Sequence, residues 1–280
     1  MPDADLKRHQ SANCRPIVGL GLRLSGVACP QGPDIPRSIV AAVKAQFEED
    51  SSEPPPISEE DRATYQAMVA RQRANDWADL CRYQSLNWDL TSFDHNRDRV
   101  VFIGDSITQS WPLADPAFFH DGGVVPRGIS GQTTPQILVR FRRDVIELKP
   151  AAVHILAGIN DIAGNTGPTT LTDITNNIQS MVEIAKANDV TVILATPLPA
   201  SHFNWAPDQT PAEAVATYAA WIRRYAAEQD LILADYYTPL VLPDGSMKPQ
   251  YTLDGVHPNK AGYDLMAPIA RTAIAEALKR

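Results

Sequence analysis

From about residue 98 onward, short apolar runs alternate with longer segments whose apolar positions recur at helical spacing. Residues 99–103, 152–156, 190–194 and 231–234 are nearly continuous apolar runs rich in β-branched side chains. Strands carry this pattern when both faces are covered, as in a parallel sheet. Residues 135–148, 171–188, 212–229 and 260–278 have the amphipathic spacing that predicts helices. A fifth strand near 123–127 completes the alternation. Such an order predicts a doubly wound α/β sheet with right-handed crossovers. There is no internal repeat.

The first third of the chain has a different texture. Ser58 followed by Asp61 has capping-box spacing, with Asp in place of the usual Glu or Gln. Tyr65, Met68, Val69, Trp77, Leu80 and Cys81 follow near helical spacing, so one helix is predicted from Ser58 to about Leu90, packed outside the main domain. Pro30, Pro33, Pro36 and Pro54 to Pro56 mark residues 30–57 as a linker with room for one short helix across 38–47. Their composition disfavours a packed core. Lys7, Arg8 and Arg15 precede a mostly apolar stretch at 17–29, the outline of a degenerate secretion signal, although Arg23 opposes insertion. Leu24 to Cys29 faintly resembles a lipoprotein cleavage box, with Gly26 where Leu is usual. An untargeted extension fits equally well, so cytoplasmic and exported readings stand level. The expected organisation is an extension at 1–57, a helix within 58–97 and the main domain at 98–280.

Composition narrows the function. A chain of 280 residues with 44% hydrophobic and 21% charged residues can bury a core without metal or disulfide staples. The net charge of -8, with no basic cluster, disfavours nucleic acid as a partner. Cys14, Cys29 and Cys81 are too few and too scattered for a disulfide framework or a metal site. The longest apolar runs fall short of the ~20 residues of a membrane span.

The candidate chemistry lies at three points. Gly104-Asp105-Ser106-Ile107 and Gly158-Ile159-Asn160-Asp161 each follow a predicted strand, and Asp254-Gly255-Val256-His257 lies near the C-terminus. Ligands of open α/β sheets bind beyond the carboxyl ends of the strands, so Ser106 and Asn160 are expected on one rim. A serine hydroxyl needs a base to become a nucleophile. His257 offers that base, and Asp254, three residues upstream, can hold its other ring nitrogen. Pro258 keeps His257 out of the helix that follows. Asn160 offers an uncharged donor to an oxyanion, and Asp161 can cap or brace its loop. Each motif alone reads first as turn or cap chemistry. Of the other histidines, His154 inside an apolar run reads as a core residue. The segment Arg127-Gly-Ile-Ser-Gly-Gln-Thr-Thr134 is glycine-rich before a helix, so the Gly131 N–H is a second candidate donor. It lacks the lysine and spacing of a phosphate-binding loop.

Taken in order, Ser106 in Gly-Asp-Ser-Ile, Gly131 in Ser-Gly-Gln-Thr, Asn160 in Gly-Ile-Asn-Asp, and Asp254 with His257 resemble the four blocks of the SGNH hydrolases, also called the GDSL esterase/lipase family. The resemblance covers roughly 98–280. It implies a flavodoxin-like three-layer α/β/α sandwich with a parallel five-stranded sheet, and a Ser106-His257-Asp254 triad needing no metal or other cofactor. It also implies an oxyanion hole from the Ser106 and Gly131 N–H groups and the Asn160 side chain. Ile107 replaces the Leu of the family's short name, and Pro126 stands where relatives often carry Asn. The strings around these residues look most like acylhydrolases similar to platelet-activating-factor acetylhydrolase and bacterial carbohydrate acetylesterases. That implies a small-molecule or carbohydrate ester with a short acyl group. An acyltransferase, a lysophospholipase-type lipid esterase and a carbohydrate-binding pseudoenzyme are the alternatives. Trp111, His202, Phe203 and Trp205 are candidates for the pocket wall, by stacking on a sugar or enclosing an acyl group.

Overall fold

In the computed structural model, which describes residues 29, 35–47, 55–93, 98–120 and 123–280, the four apolar runs and the segment near 123–127 form five parallel strands. These are β1 (Val100–Gly104), β2 (Val124–Gly128), β3 (Ala152–Leu156), β4 (Thr191–Ala195) and β5 (Ile232–Ala234), ordered β2-β1-β3-β4-β5. This is the flavodoxin-like order, whose switch point lies between β1 and β3. Gly104 is level with both Gly128 and Leu156, so β1, β2 and β3 end on one rim. Pro126, which cannot donate to a ladder, is tolerated because β2 is an edge strand.

Three helices precede the sheet: α1 (Arg37–Ala45), α2 (Glu59–Asn75) and α3 (Gln84–Phe93). Within it, α4 (Ser106–Ala114) and α5 (Pro116–His120) follow β1, α6 (Thr134–Asp144) follows β2, and α7 (Ile159–Ile162) and α8 (Leu171–Lys186) follow β3. Helix α9 (Ala212–Glu228) follows β4, while α10 (Tyr237–Leu240) and α11 (Lys260–Ala277) follow β5. Alternate strand residues divide the core. Val100, Phe102, Leu156 and Ile193 face Trp111, Phe118 and Tyr263 from α4, α5 and α11. Val101, Ile103, Val153 and Leu194 face Phe141, Met181 and Ile222 from α6, α8 and α9. Every residue of β1 and β3 is buried, as the continuous apolar runs predict. His154 is buried too, stacked on Phe102 at 4.1 Å and paired through Nε2 with the Tyr236 hydroxyl at 3.0 Å.

Four expectations are corrected. The helix predicted from Ser58 to about Leu90 is two helices. Ser58 does cap α2 through the Asp61 N–H, but the run breaks where the Asp76 carboxylate accepts the N–H groups of Leu80 and Cys81 and Asp79 turns left-handed at φ 51°. The proline-rich stretch carries α1 and also reaches the core, because Phe47 packs edge-on against Tyr263 at 5.9 Å. Cys29 and Cys81 form a disulfide. Trp111 is fully buried, stacked on Phe118 at 5.2 Å, and so cannot line a pocket rim. The secretion-signal reading of residues 7–29 lies, apart from Cys29, outside the described residues.

Arg140 of α6 ties the rim together. It is fully buried, and its guanidinium donates to Gly104 O at 2.9 Å, Arg127 O at 2.8 Å, Gln132 Oε1 at 2.6 Å and Asp144 Oδ2 at 3.1 Å. Removing one member of a buried ion pair strands the other charge. Arg140→Met is therefore expected to lower the free energy of unfolding by about 3–5 kcal/mol, read from urea denaturation. A loss below about 1 kcal/mol would show that the clamp contributes little to stability.

Candidate active site

The rim brings Ser106, Asp254 and His257 together. Asp105, not Ser106, caps α4, its Oδ1 accepting the Ile107 N–H at 3.0 Å. The Ser106 hydroxyl is thereby released from capping and lies 2.9 Å from His257 Nε2. As the first residue of α4, Ser106 also has a backbone N–H with no intrahelical acceptor. Its Oγ therefore sits at the positive end of a helix dipole.

His257 sits in a tight turn built by Asp254. One carboxylate oxygen accepts the backbone N–H groups of Val256 and His257, at 3.0 and 2.8 Å. The other lies 2.8 Å from His257 Nδ1. That contact gives Nδ1 the proton and leaves Nε2 as the acceptor facing Ser106. Burial disfavours the charged imidazole, but the hydrogen bond and charge of Asp254, with a further contribution from Asp105, outweigh it and raise the His257 pKa. Burial acts against the Asp254 carboxylate as well, yet the His257 contacts prevail and hold its pKa at about 2.

Asn160 approaches from β3. Gly158 begins α7 at φ 111°, and its α-carbon lies so close to the Tyr218 ring that a Cβ there would sit 2.6 Å from it. Asn160 is buried, its Nδ2 donating to Gln132 O at 3.0 Å. Asp161 braces the loop as its position suggested, accepting the Thr134 N–H at 2.8 Å and the Thr134 hydroxyl at 2.6 Å. Gly131 adopts φ 75°, a conformation that favours glycine, in the turn between β2 and α6.

Burial pushes two carboxylates up. Asp105 and Asp161 are each raised to about 6 by desolvation, against the hydrogen bonds from Ile107 and from Thr134 respectively. Among the described residues no group of three or more His, Cys, Asp or Glu is arranged to hold a metal ion, and no helix is long and apolar enough to cross a membrane.

Residues 102–265 match the GDSL-like lipase/acylhydrolase family, a span that contains Ser106, Gly131, Asn160, Asp254 and His257. The chain belongs to that family. A GDSL-like lipase of Bacteroides thetaiotaomicron VPI-5482 is 43% identical over 72% of this chain and 100% of its own, with a TM-score of 0.70. An acylhydrolase-assigned protein of Bacteroides fragilis NCTC 9343 is 46% identical over 73% of this chain and 99% of its own, with a TM-score of 0.71. An acetylxylan esterase of Geobacillus stearothermophilus shares the fold at 23% identity, over 63% of this chain and 94% of its own, with a TM-score of 0.51. No match was found among curated proteins.

Within this GDSL-like site, the four aromatic or histidine candidates separate. Trp205 is 43% exposed with its ring centroid 5.9 Å from that of His257. His202 is exposed and packs over Gly255, in the turn between Asp254 and His257. Phe203 is buried beneath Trp205, 5.1 Å from it, among Ile159, Val215 and Val256. Like Trp111, it supports the site from below and does not form its wall. No sequence motif marks Asn165, which donates from Nδ2 to Asn160 Oδ1 at 2.9 Å. Its one signal is its distance of five residues from Asn160, just beyond Gly164.

The raised His257 pKa fixes the expected pH profile. With the neutral imidazole as the proposed base, activity is expected to fall as pH drops through a pKa raised above the ordinary histidine value of about 6.5. kcat/KM should rise with pH and reach half its plateau above 6.5. Asp254→Asn removes the charge that raises the pKa, so its midpoint should move down, with kcat reduced by about 10,000-fold. A profile flat from pH 5 to 8 would exclude a histidine base.

Proposed function

We propose that the protein is a serine esterase that hydrolyses carboxylic esters of short acyl groups, with Ser106 as nucleophile, His257 as base and Asp254 as the group that orients it. The reading rests above all on the unbroken chain from Ser106 Oγ to His257 Nε2 at 2.9 Å and from His257 Nδ1 to Asp254 Oδ2 at 2.8 Å. As Oγ attacks the ester carbonyl, its proton passes to Nε2 and a C–O bond forms. The oxyanion is held by the N–H groups of Ser106 and Gly131 and by Asn160 Nδ2. His257 then gives the proton to the leaving alcohol as the second C–O bond breaks. Water, deprotonated by the same imidazole, releases the acid and restores Ser106.

The short acyl group and a carbohydrate alcohol are supported by two features. The exposed Trp205 ring beside His257 offers a flat apolar face suited to stacking on a sugar. The acetylxylan esterase that shares the fold points the same way. The Cys29–Cys81 disulfide favours an exported protein, because cytosolic thiols are kept reduced. Alkylation of the native protein followed by mass analysis should then leave both thiols unmodified until a reductant is added.

A series of 4-nitrophenyl esters from acetate to palmitate tests the activity. Turnover is expected to be greatest on acetate and abolished in Ser106→Ala. Asn160→Ala should remain folded and lose about 100- to 1000-fold in kcat. A preference for long chains would replace the short-acyl reading with a lipid esterase. Turnover that survives Ser106→Ala would overturn the serine mechanism.

A further inference from the structure

An asparagine serves an oxyanion only if its Nδ2, and not its Oδ1, is turned toward the site, because the two ends of the amide have the same shape and opposite polarity. In this protein a chain of three side chains sets that choice. The Trp205 indole N–H, which can only donate, lies 3.0 Å from the Asn165 amide, so the atom it meets is Oδ1. Asn165 Nδ2 then points the other way, to Asn160 Oδ1 at 2.9 Å and Gly131 O at 3.2 Å. With Oδ1 engaged, Asn160 turns its Nδ2 toward Gln132 O at 3.0 Å and keeps a second N–H for the site. Reversing the Asn165 amide would set oxygen against two carbonyl-type oxygens and NH2 against the indole N–H. The backbone reinforces the pairing, since the Asn165 N–H donates to Asn160 O at 3.0 Å.

We propose that Asn165 and Trp205 are positioning residues for the oxyanion hole. Asn165 fixes the orientation of the Asn160 amide and braces the Gly131 peptide, and Trp205 fixes the orientation of Asn165. This rests on the esterase reading above and extends it. Because the Trp205 ring also lies half-exposed beside His257, the residue that would meet the alcohol portion of the ester is the one that sets oxyanion polarity. A substrate that stacks on Trp205 would hold the indole N–H in place, so recognition and catalysis share one side chain.

The full chain is assayed on its best 4-nitrophenyl ester, with thermal unfolding as the check on folding. Asn165→Ala is expected to lower kcat by about 10- to 100-fold while KM stays within about 2-fold, the signature of an interaction made in the transition state. Asn165→Asp keeps the shape and still accepts from Trp205 but cannot donate to Asn160, so it should lose at least as much. Trp205→Phe, which keeps a ring and loses the N–H, should lower kcat by a smaller factor. In an Asn160→Ala background the cost of Asn165→Ala should shrink to about 3-fold or less, the remainder acting through Gly131. An undiminished cost in that background, or unchanged kcat in Asn165→Asp, would overturn the proposal while the esterase reading stands. Turnover indifferent to Ser106→Ala would overturn both.

Discussion

The Arg140 guanidinium is the point on which the geometry of the rim depends. It donates to the last carbonyl of β1, to a carbonyl near the end of β2 and to the Gln132 side chain in the loop beyond β2. Ser106 lies two residues past the first of these, and Gly131 lies between the other two. One planar fork therefore sets the spacing of two backbone segments that carry candidate oxyanion donors. Taking a guanidinium out of water costs several kcal/mol, and it is offset here only because Asp144 and three neutral acceptors surround it. Lysine, with a single ammonium group, could not span the same set of acceptors. Burial lowers the Arg140 pKa, with Asp144 opposing that shift most strongly.

The same logic of shared anchors runs through the site. Asp105 caps α4 and so frees the Ser106 hydroxyl, while its charge also favours the imidazolium form of His257. Asp161 joins the β3 loop to the start of α6 through Thr134, which brings the Asn160 and Gly131 loops into one unit. Asp254 organises the backbone of its turn with one oxygen and the imidazole with the other. Asp105 and Asp254 combine structural hydrogen bonds with a charge that favours protonated His257, whereas Asp161 acts through its hydrogen bonds from Thr134. Neutralising Asp105 or Asp254 would disturb both at once, so kinetic losses in such variants are best read together with stability.

Much of this was legible in the sequence, and the divide follows a physical line. Continuous β-branched runs announce strands covered on both faces; four of the five strands fall where those runs lie, and β2 falls where the alternation required a fifth. Ser106, Asp254 and His257, which the fold brings together, were readable because the chemistry proposed for them needs fixed residue types at nearly fixed local spacing. Features that depend on contacts between distant segments left no such mark. The Cys29–Cys81 pair spans 52 positions, and two cysteines make no framework pattern. Trp111 and Phe203 have the composition of a pocket wall, and only packing shows that they lie beneath it. The break between α2 and α3 was hidden because Asp76 and Asp79 are unremarkable in a helix until side-chain caps and a left-handed residue are seen. Arg140 reads as one more charge on an amphipathic helix.

The matched family span begins at residue 102, yet residues before it take part in holding the site. Carbonyls of Trp77 and Ala78, in the turn between α2 and α3, accept from Gln136 and Gln132, and the Tyr83 hydroxyl donates to Gly128 O. Asn87 of α3 joins Arg127 to Asp144, at 2.8 and 2.7 Å, and the Arg127 guanidinium lies over the Tyr83 ring at 4.7 Å. All of these contacts meet β2, α6 or the loop that carries Gly131. The Gln132 side chain of this loop is thus held from outside the matched span, while the loop carbonyls of Gly131 and Gln132 accept from Asn165 and Asn160 within it. The disulfide secures the same turn through Cys81. A donor that is fixed before the substrate arrives costs no reorganisation when the oxyanion forms. Through these contacts the turn and helix before residue 102 would bear on the proposed oxyanion donor at Gly131 by the rigidity they give its loop.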